Sequence, residues 1–432
     1  MSAIPQSIAY KESGIPWLGK IPKHWEIRRV KHLFEIGRGR VISQEELDDN
    51  GLYPVYSSQT QDNGVLGYIQ TYDFDCEQIT WTTDGVNAGT IFLRRGKHNC
   101  TNVCGTLQPK NKNENMVFLT YVLQNATPHY KRPDTNGAKI MNNEMAEILL
   151  IYPPLKEQQA IADFLDKKTR QIEEFIDKKQ KLITLLEEKK QTLINQCVTQ
   201  GLDPSTPLKD SGVEWIGKIP THWEVKKLKL LFGIGSGLGI TKADFVPSGI
   251  PCVSYGEIHS KYPCRLNTGI HPLPYVSEDY LESKPQALLK KGDFVFADTS
   301  EDIEGSGNFT SLQSDEPVFA GYHTIVLKPK TQSIHSPYFS FLFDSLGIRN
   351  QVRKEVCGVK VYSITKSILK EVQCLIPPLE EQKAIAEYLD TQIAKIDLAI
   401  CKIKSQINLI KEYKTTLISE TVCGRIGVEG NV

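Results

Sequence analysis

Residues 11–39 read KESGIPWLGKIPKHWEIRRVKHLFEIGRG, and residues 209–237 read KDSGVEWIGKIPTHWEVKKLKLLFGIGSG. The second stretch repeats the first 198 positions later with no gap: Trp17 returns as Trp215, Ile21-Pro22 as Ile219-Pro220, and His24-Trp25-Glu26 as His222-Trp223-Glu224. A second block recurs 224 positions on. Pro153-Pro154-Leu155, Glu157-Gln158 and Ala160-Ile161-Ala162 return as Pro377-Pro378-Leu379, Glu381-Gln382 and Ala384-Ile385-Ala386. The chain is one unit written twice, the second copy about 26 residues longer. A duplicated chain presents two similar surfaces, so a target with two similar halves is expected.

At 432 residues each copy is long enough for its own core. Hydrophobic residues make up 40% and charged residues 24%, an ordinary globular composition. No apolar stretch approaches the roughly 18–20 residues that span a bilayer, and MSAIPQSIAYKESG lacks the basic-then-apolar order of a signal peptide. A cytoplasmic protein with no membrane partner is expected. Ten cysteines are scattered without a CxxC. The tightest group, His98, Cys100 and Cys104, has no counterpart in the second copy, so reduced thiols rather than a metal site are expected.

Lys plus Arg and Asp plus Glu each total 51, so the formal net charge is zero. Because phosphate contacts dominate nucleic-acid affinity, such a chain binds DNA only through clustered basic residues or with a partner that supplies positive field. Clusters occur at Arg28-Arg29-Lys31 with Arg38 and Arg40, at Arg94-Arg95-Lys97, at Lys131-Arg132 and at Lys226-Lys227-Lys229.

The repeats divide the chain into residues 1–152, 153–202, 203–376, 377–424 and a tail at 425–432. The first and third segments carry short β-like runs, Gln78-Ile79-Thr80-Trp81-Thr82 and Gly89-Thr90-Ile91-Phe92-Leu93 in one, residues 292–297 and 322–327 in the other. Leu107-Gln108-Pro109-Lys110 aligns with Leu327-Lys328-Pro329-Lys330, and Gly137 and Lys139 with Gly358 and Lys360, while the sequence between these anchors diverges. The frame is kept and the faces differ. The second and fourth segments are helical: from residue 155 to about 199 there is no Gly or Pro, with Pro153-Pro154 before and Gly201 after. Leu165, Ile172, Leu186 and Leu193 fall in steps of seven or fourteen, and Leu389, Ile396, Ile403, Ile410 and Leu417 in unbroken heptads. The expected fold is α+β: two mixed α/β globular domains in tandem duplication, separated and followed by long helices pairing as an antiparallel coiled coil.

Catalytic signatures are missing. There is no GxxxxGK[ST] phosphate loop, HExxH, GxSxG or zinc-deaminase pattern. Gly233-Ile234-Gly235-Ser236-Gly237-Leu238-Gly239 fails the GxGxxG spacing, because Ile240 follows. The Pro-Pro pairs are preceded by Tyr152 and Ile376, so neither makes the Asn/Asp-Pro-Pro-Tyr/Phe loop of an adenine methyltransferase. A non-catalytic chain is expected.

Together the duplicated Gly-Ile-Pro-Trp-Leu-Gly…Ile-Pro-x-His-Trp at 14–25, the duplicated Pro-Pro-Leu-x-Glu-Gln-x-Ala-Ile-Ala at 153–162 and 377–386, and the order domain, helix, domain, helix resemble the specificity subunit of a type I restriction–modification system across essentially the whole chain. The resemblance implies that each globular domain is a target-recognition domain reading one half of a split DNA sequence through the major groove. It implies helices that act as a ruler for the spacer and dock two methyltransferase subunits, with motor–nuclease subunits joining that core. S-adenosylmethionine, ATP and magnesium then belong to the partners, and none to this chain. A coiled-coil scaffold without its own DNA readout is the alternative.

Direct readout needs side chains with paired donors and acceptors on loops held by a rigid sheet. The loop after residues 78–82 offers Thr82, Thr83, Asp84 and Asn87, followed by Arg94, Arg95 and Lys97; the loop after 292–297 offers Asp298, Thr299, Ser300, Glu301 and Asn308. Lys139 and Lys360 are candidate phosphate contacts. A solvated loop is the competing reading for each. Trp25 and Trp223 are expected to anchor the core rather than stack on bases.

Overall fold

The computed structural model describes residues 9–135, 137–356 and 361–428. It divides into two compact units, one of residues 1–180 with 404–432, the other of residues 181–403. Each unit thus takes one globular domain and a part of both long helices.

In the first unit an antiparallel sheet runs in the order Ile91–Arg94, Gln78–Thr82, Cys104–Pro109, Phe34–Arg38. Its central strand is buried at every position. Trp81 lies flat over Gly105, where an added Cβ would sit 2.2 Å from the indole, and its Nε1 donates to Ile140 O at 3.0 Å. A second sheet orders Val65–Ile69, Tyr53–Tyr56, Lys97–Cys100 and Phe74–Asp75, with a parallel pair at its centre. A small sheet joins Arg132–Asp134, Gly137–Lys139 and Asp84–Gly85.

The second unit repeats this plan with more sheet. Five strands run in the order Phe232–Ser236, Thr324–Pro329, Phe294–Ala297, Phe309–Leu312 and Cys264–Leu266, the last pair parallel. Four more order Tyr275–Val276, Ile250–Val253, Val318–Ala320 and Leu288–Leu289, again with a parallel central pair. A two-stranded piece pairs Thr299–Ser300 with Tyr362–Ser363. Phe232, Phe294, Phe296, Phe309, Phe339 and Phe343 interlock mostly edge to face with centroids 5.1–6.2 Å apart. Such pairs add to the burial of their area.

The long helices are α1, Leu155–Gln200, and α2, Leu379–Val422, 46 and 44 residues. No helix among the described residues is long and apolar enough to cross a membrane. In the first unit Glu173 of α1 meets Lys414 of α2 at 2.6 Å; in the second Lys190 meets Asp397 at 2.8 Å. Within each unit the two helices run antiparallel. Leu165 and Ile172 share a buried cluster with Leu417 and Val422, while Ile194, Cys197 and Val198 share another with Ile385 and Leu389.

The seam differs from expectation in α1. Leu186 and Leu193 are half-buried, and Ile183, Ile194 and Cys197 take the buried places. The contact line alternates in steps of three and four, so both seam positions of each heptad matter. In α2, Leu389, Ile396, Ile403 and Leu417 are buried as expected, Ile410 is half-buried, and Ile400 and Ile407 complete the line. The tail begins as packed structure: Arg425 donates to Leu18 O at 2.6 Å, and Val428 is buried in the first core.

Candidate nucleic-acid interface

The two blocks repeated in sequence meet one another in space. Glu157, in the first turn of α1, accepts from Trp25 Nε1 at 2.9 Å and lies 2.7 Å from His24 Nε2. Glu381, in the first turn of α2, holds Trp223 and His222 at the same 2.9 and 2.7 Å. Both tryptophans are buried, so each carboxylate satisfies an indole that would otherwise lack a partner. The pairing of Glu26–Arg29 with Leu149–Tyr152, and of Glu224–Lys227 with Gln373–Ile376, closes each domain beside that joint. The duplicated motif therefore fixes a domain to the helix that follows it, as expected of a core anchor.

What the frame presents differs between copies. In the first unit three connections leave one end of the sheets: the hairpin loop after Tyr53–Tyr56, the turn before Cys104–Pro109, and the loop after Gln78–Thr82. Thr101 ties the first two, donating its amide to Tyr56 O at 2.9 Å and its hydroxyl to Ser57 Oγ at 3.2 Å. Arg38 ties the last two, donating to Asn102 O and, at 3.2 Å, to Thr83 Oγ1.

Several candidates prove to be internal supports. Thr82 and Thr83 are buried. The Thr82 hydroxyl donates to Asn87 O and accepts from the Thr90 amide, and that of Thr83 donates to Val103 O. Arg94 is buried between Tyr56 and Phe92, with Cζ 3.5 and 4.3 Å from the ring centroids. Its Nη1 donates to Asn63 O at 2.7 Å and its Nε to Thr80 Oγ1 at 3.2 Å, and burial pulls its pKa below the usual guanidinium value. A side chain so enclosed cannot reach a groove. Arg95 stays exposed beside Glu77, and Lys97 lies over the Tyr72 ring at 4.5 Å.

Asp84 and Lys139, singled out from distant parts of the sequence, face each other across the small sheet. Lys139 also pairs with Asp134 at 3.3 Å. Asn87 is exposed beside the open Val86. Residues that sequence did not suggest include the exposed hairpin tip Gln61-Asp62-Asn63. Asp62, Asn63 and Gly64 hold φ of 47°, 54° and 78°, three left-handed residues in a row. The signal available was Asn-Gly after a β run, a hairpin turn signature.

Both ring nitrogens of His98 are engaged within the protein. Its ring lies 2.8 Å from both Gln78 Nε2 and Gly96 O, and burial lowers its pKa. Burial pushes the Cys100 and Cys104 thiols up, Cys104 to about 11. No group of three or more metal-ligating side chains occurs among the described residues.

In the second unit the corresponding loops enclose a cleft of about 800 Å³ lined by Tyr255, His259, Glu301, Asp302, Asn308 and His323 among others. His259 Nε2 lies 2.7 Å from Thr299 O and therefore carries the proton; Nδ1 then accepts from Asn308 Nδ2 at 2.9 Å. Asn308 Oδ1 accepts in turn from Arg349, which is held by Asp344. Asn308 is thus committed to the loop's own scaffold. Ser300 is buried and accepts from the Asp302 amide, Thr299 sits in the short strand, and Asp298 lies 3.1 Å from His323 Nδ1. Glu301 is exposed. Lys360 lies outside the described residues. The two loop ends differ in chemistry on the same frame: Gln61, Asp62, Asn63, Asp84 and Asn87 with Arg38 beside them in the first, and His259, Glu301, Asp302 and His323 in the second.

A family model described as the type I restriction modification DNA specificity domain matches residues 22–185 and 220–409. The chain belongs to that family. The type I restriction enzyme MjaVIII specificity subunit of Methanocaldococcus jannaschii is 27% identical over 428 residues, 95% of each chain. A putative type I specificity subunit of Mycoplasma pneumoniae is 44% identical over 138 residues, 32% of this chain and 38% of its own length. The chain therefore spans well under two thirds of that relative. A chain in a solved type I restriction–modification system shares the fold with a TM-score of 0.69 at 15% identity, covering 94% of this chain and 99% of that one. The HsdS subunit from Thermoanaerobacter tengcongensis superposes with a TM-score of 0.50 at 15% identity over 94% and 98%.

Proposed function

We propose that this specificity-family chain is the non-catalytic DNA-recognition subunit of a type I restriction–modification complex. Each unit would read one half of an asymmetric bipartite target. One observation carries the reading: the same frame appears twice, clamped by the same Glu–Trp–His joint, yet ends in loops of different shape, a hairpin in one unit where the other has a short helix. Identical halves would suit a palindrome, and different ones suit an asymmetric site.

Partners complete the activity under this reading. Two methyltransferase subunits would supply S-adenosylmethionine chemistry, and motor–nuclease subunits would bring ATP and magnesium. Leu185 and Leu409 stand 224 positions apart as repeat equivalents, and both are exposed on the long helices. The duplication thus repeats an exposed position on each helix, and a repeated surface suits two copies of one partner. Zero net charge fits a chain that holds DNA inside an assembly whose other members also contact phosphates. Action on cellular DNA puts it in the cytoplasm.

Methylome sequencing of a methylation-free host carrying this chain and its neighbouring methyltransferase tests the proposal. A single split motif that disappears when the chain is omitted is the expected result. Soluble complex formation with no chain-dependent methylation would instead favour a coiled-coil scaffold without DNA readout.

A further inference from the structure

We infer that the hairpin tip Gln61-Asp62-Asn63 is the adenine-reading element of the first domain, and that buried Arg94 is the residue that positions it. The inference rests on the DNA-recognition reading above and names where, within one half-site, specificity resides.

Three observations converge. The connection Ser57 to Gly64 leaves the loop end of the first unit: Ser57 N donates to Gly64 O at 3.1 Å, and Ser57 Oγ lies 3.2 Å from Thr101. Its tip is exposed, polar and held in three successive left-handed conformations. Asp, Asn and Gly adopt this backbone more readily than other residues, so the tip is a built turn that presents its side chains in one arrangement. Beneath it is Arg94, which bonds Asn63 O at 2.7 Å while packed between two rings. A Cβ at Gly64 would lie 2.9 Å from Arg94 Nη2, so the tip fits over the guanidinium without room for another residue.

The second unit makes the third point. Strand Ile250–Val253 pairs in parallel with Val318–Ala320 just as Tyr53–Tyr56 pairs with Lys97–Cys100. After that strand the chain forms the short helix Tyr255–Ser260, not a hairpin. The copies therefore differ in kind at a connection that borders the loop end in both.

The chemistry selects the ligand. SSQTQDNG contains no Lys or Arg, and Asp62 would repel phosphate, so a base edge suits the tip better than the backbone. Gln and Asn are the side chains that pair with both adenine N6 and N7 in the major groove.

The test compares methylated motifs made by the full chain with its methyltransferase, for wild type, Gln61→Ala, Asn63→Asp and Arg94→Lys. Asp tolerates the left-handed backbone, so Asn63→Asp keeps the fold while removing the amide donor. The expected result is loss of preference for adenine at one or two positions of a single half-site, by about tenfold or more, with the other half-site and the spacer unchanged. Arg94→Lys should blur the same positions, because an ammonium cannot occupy the stacked, forked site. An unchanged motif for Gln61→Ala and Asn63→Asp would overturn the inference, and so would an even loss at every position while the methyltransferase stays bound. Absence of a motif from the wild-type chain would instead overturn the DNA-recognition reading itself.

Discussion

Glu157 does two tasks with one carboxylate: Oε2 accepts from the buried Trp25 indole, and Oε1 faces His24 at 2.7 Å. The geometry makes Glu157→Ala costly for a definite reason. It strands a buried N–H, a loss of about 1–3 kcal/mol. Glu157→Gln keeps an acceptor for the indole and should cost visibly less. Urea unfolding of both variants checks the order, and equal losses would mean that the indole does not depend on the carboxylate. The same order is expected for Glu381 and Trp223. That both blocks recur was plain in the sequence; that they touch was not, since the partners are 132 residues apart. Arg94 teaches the same lesson in reverse. Its residue type suggests a groove contact, but Tyr56 and Asn63, supplied by a distant hairpin, enclose it. Burial of this kind is a property of tertiary neighbours and leaves no mark on the local string.

Among elements, the long helices were legible because nothing interrupts them: no Gly or Pro lies between Leu155 and Gln200, and the structure ends α1 one residue past the expected point. The central strand Gln78–Thr82 was legible for the same reason, a compact β-forming run. Two- and three-residue strands such as Asp84–Gly85 and Tyr362–Ser363 were not, because their pairing comes from long-range closure rather than propensity. The second line of the seam was only half visible, since Ile183, Ile194, Ile400 and Ile407 fall off the single heptad phase that the sequence displayed, and Lys190 and Lys414 interrupt that second line. Each reaches a carboxylate on the other helix, Asp397 and Glu173, and both pairs are repeat equivalents 224 positions apart. Exposed pairs of this type contribute little stability but fix register. Lys190→Glu alone should weaken pairing by about 0.5–1 kcal/mol, and adding Asp397→Lys should recover most of it. A double-mutant cycle in low and high salt measures this. Absence of coupling at low salt would remove the pair as a register device.

At the scale of the whole molecule, each long helix contributes its first part to one unit and the remainder to the other. Under the ruler reading, the length of α1 and α2 determines the spacer between half-sites. Deleting residues 178–184 together with 402–408 removes one heptad from each helix and leaves Leu185 and Leu409 in place. Glu173 still meets Lys414 and Lys190 still meets Asp397, because equal lengths leave both sides of the register. Seven residues are about 10 Å of helix at 1.5 Å per residue, or up to about three base pairs at 3.4 Å each. Methylome sequencing of the deletion variant should therefore show a shorter spacer with both half-sites intact. A seven-residue change keeps the seam on the same face, whereas removing five from each helix would turn it outward and should abolish assembly rather than retune it. A shortened variant that assembles and methylates with the original spacer would show that helix length does not set the spacing. Altered half-sites would show that the helices and the reading loops are not separable, against the division of labour that the repeated Glu–Trp–His joints imply.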